Sequence, residues 1–262
     1  MIFHYLMRRM FLLSFVFVAL TIFAFSLGYL FPGDVLSNFT GLRNISPAEE
    51  IVLRQQLGLD QGYWQQYIYF NQRILDGNWA LSFSSQQNVL DEILNVMPAT
   101  LELASYALLL SLLIGVPFGI IAAVRKDKWL DKTIQIFSTL GMSIPSFFSA
   151  ILFAWFFGYL LHDFTNLEMT GSLYELDDFG EEYIFKLKNL ILPSIVLGIR
   201  PLAVISQLMR NELLDVLSQD YIRTARSKGL TEYQIIKRHA LKNSLNPVIT
   251  AISGWFASML AG

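Results

Sequence analysis

The chain has 262 residues, 54% hydrophobic and 14% aromatic, with a mean hydropathy of +0.46, a net charge of −2 and no cysteine. An ordinary soluble domain holds about 45–50% apolar residues even with glycine counted, so this composition excludes that class and points to a bilayer. The lack of cysteine excludes disulfide stapling, thiol catalysis and Cys-based metal sites.

Residues 11–30 carry no charge, which matches the ~20 residues an α-helix needs to cross the hydrocarbon core. They follow Arg8 and Arg9, as the core of a signal peptide would. The stretch exceeds a normal signal core, however, and the exit at Leu30-Phe31-Pro32-Gly33-Asp34 offers no small-x-small cleavage site. Residues 1–31 are therefore expected to form an uncleaved first spanning helix.

Residues 32–97 are too long for a simple connection and are expected to fold on the membrane surface. Ser46-Pro47-Ala48-Glu49-Glu50 opens a helix, with Ser46 as cap, Pro47 in the first turn and two carboxylates at the positive end of the dipole. Leu57-Gly58-Leu59 ends it. A second short helix, 63–75, carries Trp64, Tyr67, Tyr69 and Phe70, which suit anchors at headgroup level.

Residues 98–262 hold the remaining spans. Residues 99–124 contain only Glu102, placed near a helix N-terminus where a carboxylate is favoured, and 133–161 contain no charge. Gly115-Val-Pro-Phe-Gly119 and Gly141-Met-Ser-Ile-Pro145 suit close helix approach and a proline kink. Residues 189–209 contain only Arg200, followed by Pro201, where a bend is expected. An arginine at mid-span costs ~2.5–3.5 kcal/mol on insertion scales, so Arg200 should face a polar interior. It either lines a solute passage or pairs with a carboxylate or a carbonyl freed by Pro201. A fifth apolar run begins near Pro247.

Basic residues give the orientation, because Lys and Arg stay on the cytoplasmic side. Arg8 and Arg9 precede the first span, Arg125, Lys126, Lys128 and Lys132 follow the second, and the 210–244 loop adds seven more. Residues 31–98 hold three Arg against seven carboxylates, and 162–188 two Lys against seven. The alternation is complete and puts the N-terminus in the cytoplasm.

The cytoplasmic loop 210–246 carries the most information. From Glu212 to Lys228, Leu213, Leu217, Tyr221 and Ala225 recur every fourth residue beside a polar line of Asp215, Gln219 and Arg223, the pattern of one amphipathic helix. Gly229 suits its left-handed stop. Thr231 and Gln234 have capping-box spacing for a second helix, with Tyr233, Ile236 and Ala240 on one face. Such a unit joined to two spans is either a lever arm or a hairpin lying on anionic lipid.

The run Asp-Tyr-Ile-Arg-Thr-Ala-Arg-Ser-Lys-Gly-Leu at 220–230, then Lys-Arg-His-Ala-Leu-Lys-Asn at 237–243 and Pro247, resembles the cytoplasmic signature loop of ABC-transporter permeases of the dipeptide/oligopeptide branch. Pro-Ala-Thr-Leu-Glu-Leu at 98–103, Gly-Val-Pro-Phe-Gly at 115–119 and Ser-Ile-Pro at 143–145 are similar to that branch as well. The resemblance implies an all-α, polytopic helical bundle of the type I importer kind, with about five spans present and the last incomplete. A further helix is expected beyond Gly262, so the chain is read as C-terminally truncated.

The resemblance further implies a coupling helix that docks on the ATP-hydrolysing subunit through Tyr221, Arg223, Thr224, Ala225, Lys228, Gly229 and Leu230, with Pro247 closing the loop. Ser244 and Asn246 depart from the apolar residues expected before that proline. The implied partners are ABC ATPase subunits, a second permease subunit, an extracytoplasmic solute-binding protein and the lipid bilayer of a bacterial inner membrane, with no nucleic acid.

Function follows as an importer permease for di- or oligopeptides or related small solutes. No Gly-x-x-x-x-Gly-Lys-Ser/Thr loop is present, so ATP and Mg belong to the partner ATPase, and no catalytic residue, metal or cofactor is expected in this chain. His4, His162 and His239 are scattered and form no triad. A peptide-resistance or export-type ABC permease would share this architecture. A self-contained secondary transporter would need intramembrane carboxylates, of which Glu102 alone qualifies. An intramembrane enzyme would need a polar catalytic pair that the spans do not supply.

Overall fold

The computed structural model describes residues 2–30, 46–56, 58–79, 82, 85, 87–176 and 183–261. The chain divides into two compact units, Met1–Val96 and Met97–Gly262. The exit from the first span at 31–34, Leu57 and the end of the chain at Gly262 lie outside the described residues.

In the first unit, helix α1 spans Ile2–Leu30 and exposes apolar side chains along its whole length, as a lipid-facing helix does. Helix α2, Pro47–Gln56, starts on the expected Ser46 cap, which Glu49 completes to a capping box. The Ser46 amide donates to Glu49 Oε2 at 3.0 Å and the Glu49 amide to Ser46 Oγ at 3.3 Å. The Ser46 amide and the Ser46 hydroxyl, both donating to Glu49 Oε2 at 3.0 Å, hold the Glu49 carboxyl below the usual range. Gly58 follows at φ +66°, the left-handed stop.

Helix α3 covers Tyr63–Leu75 as predicted, but its aromatics divide in two. Tyr67 OH and Tyr63 OH lie 2.9 and 2.6 Å from the hydroxyls of Thr21 and Ser26, and Tyr63, Tyr67 and Phe70 surround the Phe25 ring. Tyr67 and Phe70 dock α3 on α1, while Trp64 and Tyr69 remain exposed. A tyrosine finds a partner for its hydroxyl when one is within reach, and α1 supplies two.

The second unit is built around two long helices. Helix α4 runs Val89–Val124, beginning ten residues before the stretch 99–124 whose only charge is Glu102, with Asp91 and Glu92 in its first turn. Those two carboxylates hold the dipole position expected for Glu102, which sits half-buried in the helix interior. Ala107, Ser111, Gly115, Gly119 and Ala123 form a buried row at every fourth position.

The row packs on α8, Ile191–Leu217, so closely that side chains are excluded. A Cβ on Gly115 would stand 2.9 Å from Leu202 O, one on Gly119 2.6 Å from both Met209 Cβ and Ser206 O, and one on Gly198 2.9 Å from Ala107 O. Ser111 Oγ, 2.7 Å from Ala107 O and 2.8 Å from Gly198 O, shares its proton between the two helices. This is the small-residue packing expected where apolar burial supplies no drive between helices.

Between α4 and α8 lie helix α5, Trp129–Ser143, and helix α6, Ser146–Phe153, which continues as a wide π turn over Ala154–Leu160. The expected proline kink is a full break, with the two segments inclined by 105°. Pro145 excludes α-geometry at Ile144, whose ψ is 129°, and the chain leaves the helix for two residues. A short helix α7, His162–Thr165, and an antiparallel pair, β1 Tyr174–Leu176 and β2 Tyr183–Phe185, lead to a 3₁₀ turn at Leu187–Leu190. Helix α8 then runs continuously through Arg200-Pro201, with Pro201 fully buried inside it. Helices α5, α6 and the last helix all pack on α8.

After α8 come helix α9, Asp220–Ser227, helix α10, Glu232–Ile235, a π turn at Ile236–Ala240 and helix α11, Leu241–Ala261. Among the described residues, three helices are long and apolar enough to cross a membrane, Phe3–Leu30, Val89–Val124 and Leu187–Leu217, or four if the bent pair is one span. The apolar run expected from Pro247 forms the greater part of helix α11.

Replacing Gly119 by Leu is expected to force α4 and α8 apart, at a cost of ~1–3 kcal/mol or more for overpacking. Thermal unfolding in detergent should show a lowered midpoint, while Gly28→Leu, where nothing lies within 4 Å of the added Cβ, should leave it unchanged.

Candidate functional site

The loop between α8 and α11 folds onto the core instead of lying loose. The single helix expected from Glu212 to Lys228 is two: α8 carries Leu213 and Leu217 to its end, and the chain turns at Ser218 and Gln219 before α9. Gln219 has extended geometry, ψ 151°. The turn breaks the every-fourth-residue line: Leu213 and Ala225 are buried as their spacing suggests, but Tyr221 is exposed and Ile222 is buried in its place.

One side of α9 is buried through Ile222 and Ala225, while Tyr221, Arg223, Thr224, Ser227 and Lys228 are exposed. Ile222 and Ala225 join Ile205, Met209 and Leu213 of α8, Ile235 of α10, Ala240 and Val248 in one hydrophobic cluster. Leu230 packs on the same cluster.

The hinge at Gly229 matches the reading of the sequence. Its φ is +78°, the Gly229 amide donates to Arg226 O at 2.9 Å and the Leu230 amide to Ala225 O at 3.4 Å, the paired bonds of a Schellman stop. No atom lies within 4 Å of a Cβ built there, so the glycine serves backbone geometry alone.

Thr231 and Gln234 form the expected capping box. Across the hinge, the Arg226 guanidinium grips Glu232 at 2.7 and 3.3 Å and holds its carboxyl below the usual range. Asn243 Nδ2 donates to Tyr221 OH at 2.9 Å. The unit is thus pinned at its base, its hinge and its tip.

In the second loop helix the buried residues are Ile235, Ala240, Ser244 and Val248; of the expected face only Ala240 is buried, Ile236 is half-buried and Tyr233 is 70% exposed. The π turn at Ile236–Ala240 adds one residue, so the step from Ile235 to the next buried position is five and not four. Pro247 stands seven residues into α11, half-buried. Of the two departures before it, Ser244 is fully buried with its hydroxyl donated to Leu241 O at 3.1 Å, and Asn246 is exposed.

Where α8 approaches the loop stands an ion pair that sequence reading missed. Arg210 donates to both oxygens of Asp131 in α5, at 2.6 and 2.7 Å, and Asp131 also accepts from Gln135 and from the Asp127 amide. The Asp131 side chain is 1% exposed. Its signal in the sequence was a carboxylate inside a lysine-rich turn and an arginine closing another span on the same side of the membrane.

Arg200 does not enter the interior of this chain. It is the one exposed residue between Ser194 and Arg210, with no ion-pair or hydrogen-bond partner among the described residues. The α8 face it shares with Gln207 and Asn211 is the side that other helices leave least covered. Helix α11 has a similar uncovered row, Asn246, Thr250 and Ser253, opposite its buried Ser244 and Val248. Among the described residues no group of three or more His, Asp or Glu could hold a metal.

The family of binding-protein-dependent transport system inner membrane components matches residues 115–262, and the N-terminal region of the same kind of protein matches residues 2–104. The chain belongs to this family. It is 34% identical to the dipeptide transport system permease protein DppB of Escherichia coli K12 over 98% of this chain and 81% of that protein. It is 36% identical to the protein of that name from Haemophilus influenzae, over 99% and 82%. The di/tripeptide transport system permease protein DppB of Pseudomonas aeruginosa is 34% identical, over 98% and 81%. The chain is accordingly a membrane permease of the ABC importer kind, and in this permease the pinned loop lies within the matched region.

Removing one partner of a buried pair leaves a lone charge and costs ~3–5 kcal/mol. Arg210→Ala should therefore lower the unfolding midpoint of the permease sharply, whereas the paired Asp131→Leu, Arg210→Met variant should recover much of the loss in the same thermal assay.

Proposed function

We propose that this chain is the permease subunit of an inner-membrane ABC importer for dipeptides or other short peptides, driven by ATPase subunits that dock on α9. The observation that carries the reading is α9 itself, a two-turn helix fixed to the core by one face and presenting Tyr221, Arg223, Thr224 and Lys228 on the other. A helix tied to α8 by packing and to α11 by the Tyr221–Asn243 bond transmits a push to both. In this reading Ala225, Gly229 and Leu230 shape the helix and its seat, the exposed side chains meet the ATPase, and Pro247 lies where motion passes into α11.

The N-terminus is cytoplasmic in this proposal, residues 1–31 are the N-terminal membrane helix, 32–97 an outer segment and 98–262 the permease core. ATP and Mg are bound by the partner ATPase, and this chain supplies no catalytic group. A binding protein delivers solute at the outer face. A second permease subunit closes the path against the uncovered faces of α8 and α11, because an unpaired arginine and a row of amides and hydroxyls are costly against lipid. The peptide substrate is drawn from the names of the relatives.

In the assembled transporter, Gly229→Val should leave membrane insertion intact while co-purification with the ATPase and peptide uptake are lost; undiminished uptake would overturn the docking role. Arg200→Ala should change the order of preference among charged and neutral dipeptides with assembly unchanged, measured by competition uptake. Loss of assembly instead would make Arg200 structural.

A further inference from the structure

A pocket of about 410 Å³ lies within the second unit, apart from the loop and the two uncovered faces. Its walls are Phe147 and Ala150 of α6 and Leu192 and Val196 of α8. Its rim is polar, with Ser146, Glu168, Thr170 and Asn189. The rim is held by backbone contact: a Cβ on Gly158 would stand 2.8 Å from the Met169 amide nitrogen, so the π turn of Ala154–Leu160 and the Glu168–Thr170 strip fit only because residue 158 is glycine. His162 Nδ1 lies 2.9 Å from Leu167 O, and Asn189 Nδ2 donates to Ser172 O and Glu175 Oε1 at 2.9 and 2.8 Å.

The rim nevertheless has unused bonding capacity. Neither the Ser146 nor the Thr170 hydroxyl has a hydrogen-bond partner among the described residues, and Asn189 Oδ1 is closed off without one. Among the described residues Glu168 is paired only with Lys188, at 3.3 Å with both side chains over 40% exposed, and such a pair is worth little and opens readily. A carboxylate and free hydroxyls at the mouth of an apolar pocket match a primary ammonium attached beside an apolar side chain, with a polar amide following.

We propose that this pocket is an entry subsite of the permease for the N-terminal residue of a short peptide, its side chain among Phe147, Ala150, Leu192 and Val196 and its ammonium at Glu168. The assignment rests on the peptide-importer reading above, including its sidedness, which puts the acidic 162–188 connection and this pocket on the outer face. Solute released by a binding protein would then meet the subsite before the uncovered faces of α8 and α11. An aminophospholipid headgroup carries the same ammonium, but it has no apolar side chain beside the nitrogen to fill the pocket.

The test uses the assembled transporter in phosphatidylcholine proteoliposomes and a dipeptide whose first residue is photoreactive leucine with a free amine. Adducts located by mass spectrometry are expected in 146–154 or 192–197 and should be displaced by excess dipeptide but not by its N-acetylated form. Glu168→Gln should reduce the yield about tenfold, the loss expected for a charge-assisted bond, and Ala150→Phe should abolish it with subunit assembly retained. Adducts elsewhere in the chain, or pocket adducts indifferent to acetylation and to Glu168→Gln, would overturn the subsite while leaving the importer reading in place. Displacement by phosphatidylethanolamine added to the vesicles would overturn it in favour of a lipid site. Failure of the unmodified transporter to take up any dipeptide would remove the underlying reading itself.

Discussion

The second unit depends on how closely α4 and α8 approach. At Gly115, Gly119 and Gly198 there is no room for a single methyl group, and Ser111 spans the contact with one shared proton. Inside a bilayer the hydrophobic effect contributes nothing to holding two apolar helices together, so dispersion across short distances must do it. With α8 fixed in this way, α5, α6 and α11 have a common surface to pack on, and the loop that follows α8 inherits a fixed origin.

From that origin the loop's stiffness is built in small steps of different kinds. Apolar burial of Ile222 and Ala225 sets the face of α9, a left-handed glycine sets the angle to α10, and a guanidinium–carboxylate grip closes the outside of the turn. Arg210 and Asp131 secure the neighbouring end of α5 to α8. Each contact alone is modest; together they leave few soft dihedrals between α8 and α11. The docking role proposed for α9 would need this property, because a flexible arm absorbs a push without passing it on.

Much of this was legible in the sequence, and the losses have physical causes. Charge-free runs located the long helices, and Ser46, Gly229 and Thr231 marked helix ends through local backbone chemistry that needs no tertiary partner. Missed features depend on chain geometry that periodicity cannot carry. A turn at Ser218-Gln219 puts Ile222 in place of Tyr221 on the buried side, a π turn at Ile236–Ala240 shifts that side by one residue, and the docking of Tyr63 and Tyr67 on α1 needs hydroxyls 37 and 46 residues away. Arg200 was identified as out of place in a span, but exposure on an uncovered face of α8, not burial inside this chain, is how the protein accommodates it.

The break at Pro145 has a consequence of its own. A helix that stops and restarts leaves carbonyls at the end of α5 and the first amides of α6 outside any helical ladder, and Ser149 is the first residue of α6 whose amide is bonded back, to Pro145 O. Hydrocarbon offers nothing to such groups. A corner of this kind is suited to a place against other protein or a water-lined cavity and not against lipid, which makes insulation, as much as passage, a demand on the bundle that holds it.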